Sequence, residues 1–341
     1  MKSFFTLLTI ITIGTSVVGQ DIHFSQMRYA PLNVNPALAG ADGKIRGLVN
    51  YRSQWNSFSA PYSTMGASFD MRFEPFKRNG GYLAGGINFF RDVAGDAQFT
   101  QSNVNANIAY HLPVTRQSKL GLGMQIGYGQ RGIGTMDGTW AMQYNGNGFD
   151  NTLASGESFD RQQYGHLDAS AGVVYQLDKM TRSSAMRGNG YKITAGLAAY
   201  HMNQPESTFL VGGQDDLKMR FSGFVRSTFY MNNPKWKMKP GIYYQQQGGH
   251  REILAGSYFE HAFSGGSDRT QLKSNFAVAY GFFYRFRDAL VSKLLVHYDD
   301  FSFGLSYDIN LSSLTPTSRG RGGIEFMFRY QLSELGNQRI R

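Results

Sequence analysis

From about Lys44 to Leu332, apolar and polar positions alternate in short runs separated by turn residues. Phe301, Phe303, Leu305, Tyr307 and Ile309 share one face of such a run, and Ser302, Gly304, Ser306 and Asp308 share the other. Leu120, Leu122, Met124, Ile126 and Tyr128 oppose Gly121, Gly123, Gln125 and Gly127 in the same way. A period of two belongs to β-strands, whose successive side chains point to opposite faces. The apolar faces are rich in Phe and Tyr. The opposite faces carry Gly, Ala, Ser and Asn, too small or polar for a packed core. This combination predicts an all-β protein, a transmembrane antiparallel up-and-down β-barrel of outer-membrane type, with lipid outside and a polar lumen inside.

The runs give about fourteen strands, near residues 44–52, 63–73, 81–91, 98–112, 118–131, 164–178, 190–202, 218–231, 236–247, 251–263, 271–287, 289–298, 301–310 and 321–332. Arg285 and Arg287 are expected to point inward from the eleventh. The third, seventh and eighth alternate less cleanly. Ser292 and Lys293 interrupt the twelfth and leave its register open. With the first strand starting in the periplasm, the short turns near Asn232–Lys235 and Asp299–Asp300 fall inside, and the long loops near 132–163 and 203–217 fall outside. That asymmetry is typical of outer-membrane barrels; the basic stretch Asp178–Gly190 is a long exception on the periplasmic side. Arg321, Gly323, Phe326 and Phe328 have the spacing of a terminal strand that engages barrel-assembly machinery. A soluble sandwich or propeller would need its core on the aromatic faces of nearly every strand, and no repeat of propeller length is present.

Residues 1–19 read as a secretory signal peptide: Lys2, then an apolar stretch from Phe4 to Val18, then Val17 and Gly19 at the small-residue cleavage positions. The stretch is short of the ~20 apolar residues that a membrane-crossing helix needs. The expected organisation is therefore signal peptide 1–19, a non-periodic periplasmic lead segment 20–43, barrel 44–332 and a tail 333–341. The expected location is the cell outer membrane.

Charge and chemistry change this picture little. The chain has no cysteine, which removes disulfides and thiolate chemistry. Its net charge is +10, but the cations are spread through strands and loops, which argues against nucleic acid as a partner. Arg46, Arg52, Arg72, Arg226, Arg285 and Arg329 are expected to face the lumen, with Asp70, Asp308 and Glu325 as available partners. Such ladders either brace the wall or line a cavity that grips a polypeptide or selects anions. The seven histidines show no metal-ligand spacing, and no nucleophile–base pair stands out. We expect no catalytic residue, cofactor or metal.

The lead segment and first strand carry a resemblance. HFSQ (His23, Phe24, Ser25, Gln26), the run Ala30–Gly40 with VNPALAG, and YRSQW (Tyr51–Trp55) resemble the PorP/SprF family of type IX secretion system membrane proteins. RDVAGD at 91–96, AYHMNQP at 199–205, YRFRDA at 284–289 and GLSYDI at 304–309 extend it along the chain. The resemblance implies an outer-membrane barrel of Bacteroidota working with the secretion and gliding machinery. It implies as partners a large secreted adhesin with a type IX C-terminal domain, periplasmic components of the same apparatus, and outer-membrane lipid. The barrel would dock, anchor or help export the adhesin; the alternative is a passive porin or small-solute channel. The family-motif residues, candidates for facing a partner, are His23, Phe24, Ser25, Gln26, Pro31, Asn35, Pro36, Gly40, Arg52, Gln54 and Trp55. By the resemblance, Phe24, Pro31, Asn35, Pro36 and Gly40 fix the packing of the lead segment at or inside the periplasmic mouth. Arg52, Gln54 and Trp55 mark the outer end of the first strand.

Overall fold

A computed structural model describes residues 21–54, 62–73, 80–95, 97–134, 141–154, 156, 162–179, 190–209, 215–231, 233, 235–266, 273–312 and 315–332. The signal-peptide residues, Trp55 and the tail after Leu332 lie outside these.

Fourteen strands form one closed antiparallel barrel. They are β1 (Ile45–Gln54), β2 (Tyr62–Arg72), β3 (Tyr82–Ala94), β4 (Phe99–Pro113), β5 (Ser118–Ile133), β6 (Gln163–Asp178) and β7 (Tyr191–Tyr200). They continue with β8 (Arg220–Tyr230), β9 (Trp236–Gln247), β10 (His250–Gly266), β11 (Lys273–Arg285), β12 (Ala289–Tyr298), β13 (Phe301–Asn310) and β14 (Arg321–Leu332). Each pairs with its sequence neighbours, and β14 closes on β1 in a register running from Ile45 opposite Leu332 to Gln54 opposite Gly323. Closure leaves no unpaired strand edge, which an edge in lipid could not tolerate. We call the end where β1 starts proximal and the other end distal.

The alternation predicted from sequence is the alternation of the wall. On β5, Leu122, Met124, Ile126 and Tyr128 are exposed while Gln125 is buried; on β13, all five apolar residues are exposed and Ser302, Ser306 and Asp308 are buried. β12 also has a definite register: Val291, Lys293 and Leu295 face inward, and Leu294 and Tyr298 face outward. Ser292 sits on the outer face, within 2.8 Å of the Tyr280 hydroxyl.

Two expectations need correction. Arg287 does not point inward. β11 ends at Arg285, and Arg287 takes a left-handed φ of +61° in the turn, exposed beside the Phe286 ring. The inner face is also not uniformly small and polar. Leu48, Val174, Phe224, Tyr243, Leu254, Tyr258, Phe283, Val291, Leu295 and Met327 form a buried apolar cluster with Met27, Tyr29, Val34, Ala37 and Leu38 of the lead segment. The barrel is therefore filled, and its contents come from its own chain. This explains why strands three, seven and eight alternate poorly. Tyr82 and Phe90, Tyr200, and Phe224 are inward apolar residues that would be out of place in a water-filled lumen.

Candidate functional site

The site is the path of residues 21–43 through the lumen. Asp21 lies at the distal end, where its backbone N–H donates to Gln247 at the end of β9. Asp42 lies at the proximal end, within 3.3 Å of Lys192 at the start of β7. Between them the chain makes three short turns: Met27–Tyr29, α1 (Pro31–Val34) and Pro36–Leu38. Pro31 and Pro36 each open a turn, where the missing N–H costs nothing and the ring presets φ. Helices this brief satisfy few of their own backbone groups, so the wall does it. The Tyr200 hydroxyl donates to Leu32 O at 2.9 Å, and His111 Nε2 lies 2.8 Å from Ala39 O. Asn35 serves both sides, accepting from Ala37 N at 2.8 Å and donating to Val173 O and Leu197 O on β6 and β7.

The densest contacts hold Ser25 and Gln26. The Ser25 hydroxyl is within 2.8 Å of both Asp308 carboxylate oxygens and accepts from Arg52 at 2.8 Å and Arg285 at 2.6 Å. Its carbonyl accepts from Lys293 Nζ at 2.5 Å, and its N–H donates to Glu325 at 2.7 Å. Gln26 N donates to the other Glu325 oxygen at 3.1 Å. Arg52 ion-pairs with Asp308 at 3.0 Å and is oriented by Gln54 at 3.0 Å. Five strands thus meet on a two-residue stretch of backbone. A buried charge is tolerable only when paired and hydrogen-bonded, and here each is. Phe24 lies beside this clamp. A Cβ on Gly66 would come within 2.8 Å of its ring, so a small residue on β2 makes room for it.

At the distal end Asp21 accepts from His201 Nε2 at 2.6 Å and pairs with Arg220 at 3.1 Å, while His201 Nδ1 is 3.0 Å from Asp168. Burial alone would push the Asp21 carboxyl up, but His201, Arg220 and Arg131 outweigh it and hold it well below the usual carboxylate range. Burial likewise acts to lower His201, but Asp21 and Asp168 outweigh it and raise the imidazole to about 9. Burial depresses His23 to about 4, despite Glu252 nearby. The signs give a stability window. His201 contributes fully below its ordinary 6.5, and its contribution is lost as pH rises through about 9. Asp21 contributes above its ordinary 3.8 and loses that contribution as pH falls. His23, neutral in the fold, costs stability as pH drops from 6.5 toward 4. Protease protection of the 21–30 stretch in the detergent-solubilised barrel should therefore peak between these limits. It should fall on both sides, and a flat profile from pH 4 to 10 would refute the assignment.

At the proximal end Gly40 turns the chain into β1 with φ +64°, and a Cβ there would lie 2.5 Å from that of Ala84. Only glycine satisfies both the left-handed conformation and the close approach. Asp70 ties the turn by accepting from Gly40 N at 2.8 Å and from Arg46 Nε at 2.8 Å. Asp42 accepts from Arg226 at 2.5 Å and Arg46 at 3.1 Å; burial would push its carboxyl up, but Arg226, Lys192 and Arg46 hold it well below its usual value. Gly123 of β5 is fixed by the same kind of close approach to the segment. A Cβ on Gly123 would stand 2.3 Å from Ala37 N, whereas one on outward-facing Gly47 would meet nothing within 4 Å. Gly123→Val should therefore cost about 1–3 kcal/mol in denaturant unfolding, as overpacking does. The matched Gly47→Val should stay within about 0.5 kcal/mol. Equal costs would mean that the segment does not rest on β5.

A sequence model of the type IX secretion system membrane proteins PorP/SprF matches residues 16–330. The chain belongs to the PorP/SprF family. No curated protein matches it. Solved structures are similar in fold alone. CdiB from Acinetobacter baumannii is 10% identical with a TM-score of 0.42, over 84% of this chain and 60% of that one. The TodX monoaromatic hydrocarbon channel deltaS2 mutant is 11% identical, TM-score 0.46, over 88% and 92%. The β domain of the Bordetella autotransporter Brka is 11% identical, TM-score 0.41, over 85% and 100%. The chain spans about 60% of the length of CdiB.

In this PorP/SprF protein the strings scattered through the sequence converge in space. HFSQ supplies Ser25 and Gln26; YRSQ supplies Arg52 and Gln54; YRFRDA supplies Arg285 and Asp288, 2.9 Å apart; GLSYDI supplies Asp308. AYHMNQP supplies Tyr200 and His201 at the distal anchor, and RDVAGD supplies Asp92, bonded to Thr64 at 2.5 Å. Phe24, Pro31, Asn35, Pro36 and Gly40 all lie within the lumen, while His23 is half-buried near its distal end, 3.9 Å from Glu252. The inward arginines and their acidic partners pair as the alternation suggested, Arg46 with Asp70 and Arg52 with Asp308 and Glu325. Lys293, Asp168 and His111 carry no sequence signal of their own beyond inward parity.

Proposed function

We propose that this protein is an outer-membrane scaffold of the type IX secretion apparatus that docks, anchors or helps export a large secreted surface adhesin. The proximal mouth, with its mostly short turns, faces the periplasm and its secretion or gliding components; the distal loops face the exterior. One observation carries the choice between scaffold and channel: the lumen is packed with the chain's own residues 21–43. A passive porin needs a water-filled path. The occupant is the lead segment; the described residues 144–154 of the longest distal loop are mostly exposed. A barrel enzyme would also show converging polar groups, but the clusters at Asp21, Ser25 and Asp42 close on the segment. The Ser25 hydroxyl is wholly buried and committed to Asp308, Arg52 and Arg285, which leaves no approach for a substrate.

Extraction of native membranes in mild detergent, followed by isolation of the barrel, should recover a very large secreted protein with it. A deletion strain should lose that protein from the cell surface. Recovery of the barrel alone, with adhesins displayed normally in the deletion strain, would overturn the reading.

A further inference from the structure

A cavity of about 230 Å³ lies beside Tyr29 and reaches the proximal mouth, where Tyr230 and Gln331 border it. Its walls carry Arg28, Lys192, Arg226, Lys237, Lys239 and Arg329, with Arg46 as a seventh cation. Three carboxylates answer them among the described residues. Asp42 takes Arg46, Lys192 and Arg226; Asp70 takes Arg46; Glu260 takes Lys237 and Lys239. Two guanidiniums have only neutral partners. Arg28 donates to Ser227 O at 3.3 Å and to the Thr228 hydroxyl at 3.0 Å. Arg329 donates to the Ser302 hydroxyl at 2.8 Å, and its Nε is buried without an acceptor. Arg329 also lies over the Tyr29 ring, 5.1 Å from the centroid.

Gathering seven cations around three carboxylates destabilises the fold, because buried charge is costly when uncompensated. A wall that only needed bracing would be neutral, as around Ser25, where Arg52, Arg285 and Lys293 meet Asp308, Glu325 and Glu252. Planar guanidinium forks match oxyanions bidentately, lysines add charge, and the hydroxyls of Thr194, Thr228 and Tyr230 on the same walls add neutral donors. We propose that this cavity binds a small phosphate-bearing polyanion that enters from the proximal mouth. Its volume suits a group of diphosphate size and leaves no room for a folded peptide. The assignment stands on the charge arrangement and is independent of what the barrel docks.

The test is calorimetric titration of the full detergent-solubilised barrel with pyrophosphate, inorganic phosphate and hexaglutamate, on wild type and on the Arg28→Gln, Arg329→Gln double variant. Pyrophosphate should bind saturably, more tightly than phosphate, and raise the unfolding temperature by mass action. The double variant should bind about tenfold more weakly or worse, since charge-assisted bonds are lost. Arg91→Gln, on the exposed outer surface, should leave binding unchanged. If the double variant fails to fold, each single variant carries the same comparison. No saturable pyrophosphate binding to wild type, or binding that the variants leave intact, would overturn the proposal. Tighter binding of hexaglutamate than pyrophosphate would do so too, assigning the cavity to an acidic polypeptide.

Discussion

Deletion of residues 21–43 should turn a closed barrel into a conducting one. In planar bilayers the intact protein is expected to show baseline current, and the shortened protein discrete steps about tenfold or more above it. A wall of fourteen strands is wider than the eight-stranded barrels whose own side chains fill them. What closes it is the material removed: Phe24, Met27, Tyr29, Leu32, Val34 and Leu38, all nearly completely buried. The gap would be lined by Asn, Ser, Gln and charged residues over much of β2, β4, β5 and β13, which water wets readily. Burying each large apolar side chain is worth about 1.5–3 kcal/mol, so the deletion also lowers stability. The hydrogen-bonded wall remains, and heat-modifiable migration on gels reports whether it has formed. A deletion barrel that migrates as folded yet stays electrically silent would refute the plug.

The second large effect is expected at Arg52. Replacement by Ala removes the cation between Asp308 and Glu325, its bond to Ser25 and its contact with the His23 carbonyl at 3.3 Å. Breaking a buried pair by deleting one partner typically costs about 3–5 kcal/mol, because the other charge stays buried. The Arg52→Ala barrel should unfold at correspondingly lower denaturant concentration and expose the 21–30 stretch to protease. Asp308→Ala alone should also be damaging, since it leaves Arg52 and Arg285 less compensated. The double variant should cost less than the sum of the two, by about 1 kcal/mol or more, as coupled neighbours do. Strict additivity would place the two residues in separate roles.

The fold was legible because lipid imposes a simple rule. Most outward positions must be apolar, so the outward faces of β4, β5, β11 and β13 read as strands without ambiguity. The inward faces carried a second message that alternation could not decode. Tyr200, Phe224, Tyr258 and Phe283 look like defects in a strand with a polar lumen. They make sense only with residues 27–38 opposite them, and that pairing is non-local. Arg52, Arg285, Asp308 and Glu325 could be listed as inward charges, but their meeting at Ser25 depends on barrel closure between β1 and β14. Parity fixes a side chain's face and leaves its height open. Arg287 was misread for a local reason: the strand stops two residues earlier, and Arg287 itself takes a left-handed turn conformation.

The route of residues 21–43 also constrains how the molecule is put together. Asp21 is held at one mouth and Asp42 at the other, with the bulky Tyr29 and Leu32 wedged between. A hoop already fastened would have to be threaded lengthwise like a needle. A seam between the first and last strands that draws shut last avoids this by closing around a cargo already lying in place. The inlay then acts as the mandrel on which the staves are set, and it is synthesised before any of them.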